Sequence, residues 1–177
     1  MTKSSKNSRN PNDPKLLFEK AMKLIKNSES PHVFWKAFKL IRRSADQGYS
    51  EAQRTLGIMY ADGIGVPQDY DEAVRFFQLG VDQGDATAQN NIGFMYQHGH
   101  GAAQDYAEAI KFFRLAADQG YDSASDNLGC MHQNGLGVAK DERKAEEWFQ
   151  LAADQRSYGP AHDHLGVKRV TELVNAL

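Results

Sequence analysis

Between Tyr49 and Arg156 the chain repeats itself with a period of 36 residues. Tyr49–Gly84 reads YSEAQRTLGIMYADGIGVPQDYDEAVRFFQLGVDQG. Asp85–Gly120 reads DATAQNNIGFMYQHGHGAAQDYAEAIKFFRLAADQG, and Tyr121–Arg156 reads YDSASDNLGCMHQNGLGVAKDERKAEEWFQLAADQR. Three copies in register constrain the fold more than any other feature of the chain. A unit of this size cannot bury its apolar face alone, so successive units must stack on one another.

Each unit divides into two helical patterns. Ala52–Leu56–Gly57–Tyr60, Ala88–Ile92–Gly93–Tyr96 and Ala124–Leu128–Gly129–His132 share a spacing of three and four, which places them on one side of a helix. Gly inside a helix costs about 1 kcal/mol against Ala, so three such glycines in register point to close packing. The loops Gly63-Ile64-Gly65-Val66, Gly99-His100-Gly101-Ala102 and Gly135-Leu136-Gly137-Val138 end the first helix and turn the chain. Asp69, Asp105 and Asp141 are then placed to cap a second helix. Glu72 and Glu108 stand where a capping box requires them, and Lys144 leaves the third box incomplete. The second helix carries Ala73–Phe77, Ala109–Phe113 and Ala145–Phe149.

The patterns A-x3-L-G-x-M-Y, G-x-G-V, D-x3-A-x3-F and A-A-D-Q-G resemble the SEL-one-like repeats, relatives of the tetratricopeptide repeats. The tetratricopeptide Trp is replaced by Gln53, Gln89 and Ser125. The resemblance covers roughly residues 31–177. It implies an all-α, right-handed superhelical solenoid of antiparallel helix pairs that serves as a protein-binding scaffold.

About nine helices are expected. Residues 1–13 are polar and read as a disordered tail; 14–48 form an N-terminal capping pair whose second helix is repeat-like. Units follow at 49–84, 85–120 and 121–156, and 157–177 is expected to be a capping helix. That last segment is apolar enough to suggest either an ordinary cap, self-association with a second chain, or packing against a further repeat. The formal charge of −2, from 21 basic and 23 acidic residues, argues against a nucleic-acid surface. No signal peptide pattern or membrane span is visible, so the expected compartment is the cytoplasm.

Residues that repeat are the ones that pack; those that vary between copies are candidates for recognition. The variable positions fall on one stripe of each first helix. They are Glu51, Arg54, Ile58, Ala61 and Asp62, then Thr87, Asn90, Phe94, Gln97 and His98, then Ser123, Asp126, Cys130, Gln133 and Asn134. By analogy with tetratricopeptide grooves the stripe faces the concave side. Arg54, Ile58, Asn90, Phe94, Gln97, Asp126, Cys130 and Gln133 are the expected contacts to a protein or peptide partner, with Ile58, Phe94 and Cys130 readable also as core.

Catalysis, cofactor and metal are not expected. Cys130 is the sole cysteine, which fits a reducing compartment. The six histidines show no metal-ligand spacing, and the G-x-G loops lack the strand that a phosphate cradle needs. The resemblance also admits a cell-wall-type hydrolase, a small-molecule binder or a self-assembling array. No Ser/Lys, Cys/His or paired-carboxylate set recurs to support an enzyme. The leading expectation is a non-catalytic adaptor in a signalling or assembly complex.

Overall fold

The computed structural model of the chain describes residues 10–27 and 30–158. Eight helices and no strand lie among them: α1 (Pro14–Lys26), α2 (Pro31–Ala45), α3 (Ser50–Asp62), α4 (Tyr70–Asp82), α5 (Ala86–His98), α6 (Tyr106–Ala117), α7 (Asp122–Asn134) and α8 (Glu142–Tyr158). The helices α3, α5 and α7 start at 50, 86 and 122, so the period of the sequence is the period of the helices. Each helix packs mainly on its neighbours in sequence, most densely within α1–α2, α3–α4, α5–α6 and α7–α8. The fold is an all-α helical-repeat solenoid of antiparallel pairs, and its core is a ribbon running along the stack.

The repeated Gly and Phe explain each other. A Cβ on Gly57 would lie 2.5 Å from the Phe77 ring, one on Gly93 2.7 Å from Phe113, and one on Gly129 2.5 Å from Phe149. Each ring lies directly on the bare backbone of its partner helix. Phe77 and Phe113 are buried as a result.

A second set of contacts holds one unit to the next. Gly101 lies against the backbone of Tyr70, and Gly137 against Tyr106, so the loop of each unit rests on the start of the preceding second helix. Gly101 also has φ of 67°, a left-handed conformation that side chains resist. The Gln residues in the tetratricopeptide Trp place have a polar role. Gln53 accepts a 2.6 Å hydrogen bond from Gln83 and donates to the Ala45 carbonyl at 3.2 Å, tying its hairpin to α2. Gln119 repeats the first bond to Gln89 at 2.7 Å.

The caps differ from expectation in one respect. Asp69, Asp105 and Asp141 do accept from the backbone N–H groups of Glu72, Glu108 and Lys144, each at 3.0 Å. The capping boxes are not completed by Glu72 and Glu108. The backbone N–H groups of Asp69 and Asp105 donate instead to the carbonyls of Tyr60 and Tyr96, at 2.9 and 3.0 Å. The long G-x-G loop brings the chain back over the first helix, and that carbonyl wins the N–H. Glu72 and Glu108 pair with Arg75 and Lys111 on the surface.

At the N-terminus, Asn10–Asp13 form a turn anchored by Arg43, which donates to Asn12 at 2.8 Å, so the expected tail does not reach this far. Residues 1–9 lie outside the described residues. α8 continues past the unit boundary at 156 to Tyr158. Arg156 replaces the Gly that ends the earlier units, and nothing there forces the chain out of the helix. The expected capping helix at the C-terminus lies outside the described residues, as does its proposed role in self-association.

Candidate functional site

The variable stripe splits into two halves with different work. Its half near the helix N-termini is bonded within the chain. Arg54 forms an ion pair with Asp85 at 3.2 Å and donates to Thr87 at 3.5 Å, linking α3 to the start of α5. Asp85 also caps α5 through the Ala88 N–H at 2.8 Å. Asn90 is buried and accepts from Asn127 at 2.9 Å, linking α5 to α7. Asp126 holds Arg156 at 2.6 Å, and Asp122 joins the same guanidinium at 3.6 Å. These three sequence candidates are engaged between helices in the free chain.

The half near the hairpin loops is open. Phe94 is 44% exposed, and Cys130, Gln133, His98 and Asn134 are exposed beside it along the stack. Gln97 is half-buried and accepts from Gln104 through its backbone carbonyl at 2.8 Å. Ile58 is buried, so the core reading applies to it, though it still floors a groove.

That groove lies between α3 and α5, where their loops leave. Its volume is about 450 Å³, and Ile58, Ala61, Phe77 and Met95 form an apolar part of its lining. Asp62, Gln68, Tyr70, Asn91, Phe94 and His100 supply the rest. The size falls in the range of ligand pockets, about 300–1,000 Å³.

Tyr70, Phe94 and His100 meet at this groove, and His98 packs beside them. His100 stacks on Tyr70 with centroids 4.3 Å apart and an interplanar angle of 10°. His98 packs on Phe94 at 4.0 Å, and His100 meets the same Phe94 at 6.3 Å. Gly101 sets this geometry, because its close approach to Tyr70 brings the adjoining His100 over the tyrosine ring. The Nδ1 of His98 lies 3.0 Å from the Phe94 carbonyl. A carbonyl only accepts, so Nδ1 donates in this contact. Gln68 uses its amide nitrogen on the Ala61 carbonyl at 2.7 Å and on the Tyr70 hydroxyl at 3.1 Å, which leaves its side-chain oxygen to accept. Asp62 is an exposed residue with no ion-pair or hydrogen-bond partner among the described residues, and partial desolvation raises its pKa from the ordinary aspartate value.

The cluster can bind by stacking and hydrogen bonding. Among the described residues no three His, Cys, Asp or Glu side chains converge to hold a metal ion, and no helix is long and apolar enough to cross a membrane. Reading the sequence for variable helix positions reached Asp62, Phe94 and His98 but missed Tyr70 and His100. The signal for His100 was present. It stands in the loop where the other copies have Ile64 and Leu136, so a polar ring replaces an aliphatic side chain.

Comparison with known proteins agrees with this architecture. The Sel1 repeat profile matches residues 36–49, 50–85, 86–121 and 123–157, more than half of the chain. Among solved structures, the chain is similar to a protective antigen of uropathogenic Escherichia coli displaying an SLR fold, with 39% identity and a TM-score of 0.75. It is similar also to a Sel1 repeat protein from Oxalobacter formigenes, with 29% identity and a TM-score of 0.75. Each match covers 81% of this chain but only 31% and 59% of those proteins, so the chain spans less than two thirds of either. Cysteine-rich protein B of Helicobacter pylori shares the fold at 20% identity and a TM-score of 0.51, over 67% of this chain and 100% of that one. No curated protein matches the chain.

Proposed function

The chain belongs to the Sel1 repeat family, and on that premise we propose that it is a non-catalytic adaptor whose concave face holds a partner protein or peptide. Sel1 repeat folds are generally protein-interaction scaffolds. The observation that carries the reading is the open loop-side half of the stripe, centred on Phe94. A large ring 44% exposed on a helix whose other face is core is suited to bury against a partner. Stacked hairpins hold that surface in place, so binding orders little of the scaffold. The lone Cys130 is exposed and unpaired, which supports a reducing compartment such as the cytoplasm.

Selection of peptides from a random displayed library, followed by titration against Phe94→Ala, tests this. Loss of affinity by about tenfold or more is expected, with the helical circular dichroism intact. Unchanged affinity in a folded variant would move the recognition face elsewhere.

A further inference from the structure

We propose that the groove between α3 and α5 is a pocket for an arginine side chain of the partner, held between the Asp62 carboxylate and the rings of Phe94 and Tyr70. The inference rests on the scaffold reading above and names what one part of that face recognises.

Charge is the first ground. Asp62 is the only acidic side chain lining the groove, and no Lys or Arg lines it. Every other aspartate discussed above is capping a helix or pairing with an arginine; Asp62 does neither. It is also the last residue of α3, where the carbonyl end of the helix disfavours a negative charge. Local stability does not account for an acid there, but an incoming cation would.

A polar neighbour points the same way. The side-chain oxygen of Gln68, which lines the groove, is left to accept. A guanidinium brings several N–H donors in one plane and accepts nothing, which complements a carboxylate beside a second acceptor. Phe94 and Tyr70, each stacked on a histidine on one side, line the groove, and a planar cation is attracted within about 6 Å of a ring centre. Ile58, Phe77 and Met95 offer apolar surface for the three-carbon stem.

The repeat supplies an internal control. At the next junction, between α5 and α7, His98 stands in the Asp62 place, Cys130 in the Phe94 place and Leu136 in the His100 place. The scaffold is the same there, but the acid and the ring are gone. Of these two junctions the arginine pocket belongs to the first, which fixes the register of a bound partner along the face.

The test uses the full chain and a random peptide library displayed on phage, selected in parallel on wild type, Asp62→Asn and Phe94→Ala. Wild-type chain is expected to enrich arginine at one position beside apolar residues. Replacing that arginine by citrulline, its uncharged near-isostere, is expected to weaken binding about tenfold or more, and Asp62→Asn to remove the discrimination. Citrulline and arginine peptides binding within about twofold of each other on wild type would overturn the assignment, as would equal arginine enrichment on Asp62→Asn. If Phe94→Ala loses the peptides while Asp62→Asn treats them as wild type does, the arginine pocket fails and the recognition face stands. If Phe94→Ala binds them unchanged, both fail. The citrulline comparison changes the ligand alone, so it does not depend on how any variant folds.

Discussion

Gly101→Ala and Gly120→Ala separate two costs that glycines carry in this fold. Both residues have positive φ, 67° at Gly101 and 84° at Gly120. An L side chain in that region costs about 1–2 kcal/mol, and this applies equally to both. At Gly120 an added Cβ meets nothing within 4 Å, so that strain is the whole effect. At Gly101 the Cβ would lie 2.7 Å from the Tyr70 carbonyl carbon and 3.1 Å from its Cβ. Backbone at the first turn of α4 cannot swing aside as a flexible side chain would, so the loop must lift off the preceding unit. Overpacking of this kind costs about 1–3 kcal/mol more. Gly101→Ala is therefore expected to destabilise by about 2–5 kcal/mol and Gly120→Ala by about 1–2 kcal/mol. With a urea dependence of about 2 kcal/mol per molar, the unfolding midpoints should differ by about 0.5–1.5 M, read by circular dichroism. Gly101→Ala should also weaken peptide binding before it unfolds the chain, because lifting the loop moves His100 off Tyr70. Equal midpoints, or a reversed order, would refute the claim that close loop contact joins the units.

Three further outcomes follow from particular contacts. Arg54→Ala should cost about 1–2 kcal/mol by stripping the cation from Asp85, whose side chain is 11% exposed, while leaving peptide affinity unchanged; a binding loss without a stability loss would return Arg54 to the recognition surface. Asp69→Ala should cost about 1 kcal/mol as a lost cap, whereas Glu72→Ala should cost about 0.5 kcal/mol or less and lose its effect in high salt, as measured by urea unfolding with and without added salt. Partial desolvation raises Asp62, so the folded chain binds that proton more tightly than the unfolded chain does; its stabilisation is complete below the ordinary carboxylate range and is lost as pH rises through the raised value. Asp62→Asn should accordingly raise the melting temperature slightly at neutral pH, with the gain vanishing in acid, and a gain independent of pH in calorimetry would contradict a desolvation cost at this carboxylate.

The hairpins and their stacking order were legible in the sequence because their rules act over short distances and recur at a fixed period. Asp69 caps four residues from where its helix begins to pack; Gly57 and Phe77 meet across one loop; both patterns return 36 residues on. A signal repeated three times can be read without coordinates. The capping boxes were misread because the competing acceptor, the carbonyl of Tyr60 or Tyr96, reaches the N–H through the path of the loop and leaves no local mark in the sequence.

Which variable residues remain free was decided by the tertiary structure. Arg54, Asn90 and Asp126 look available on their own helices, and each meets its partner 30 to 37 residues away across the stack. Tyr70 and His100 likewise come into contact through the packing of one loop on the preceding unit. The period fixes that units lean together. The angle and depth at which they do so decide which polar side chains are consumed between them and which still face a partner, and that geometry is a property of the whole packed array.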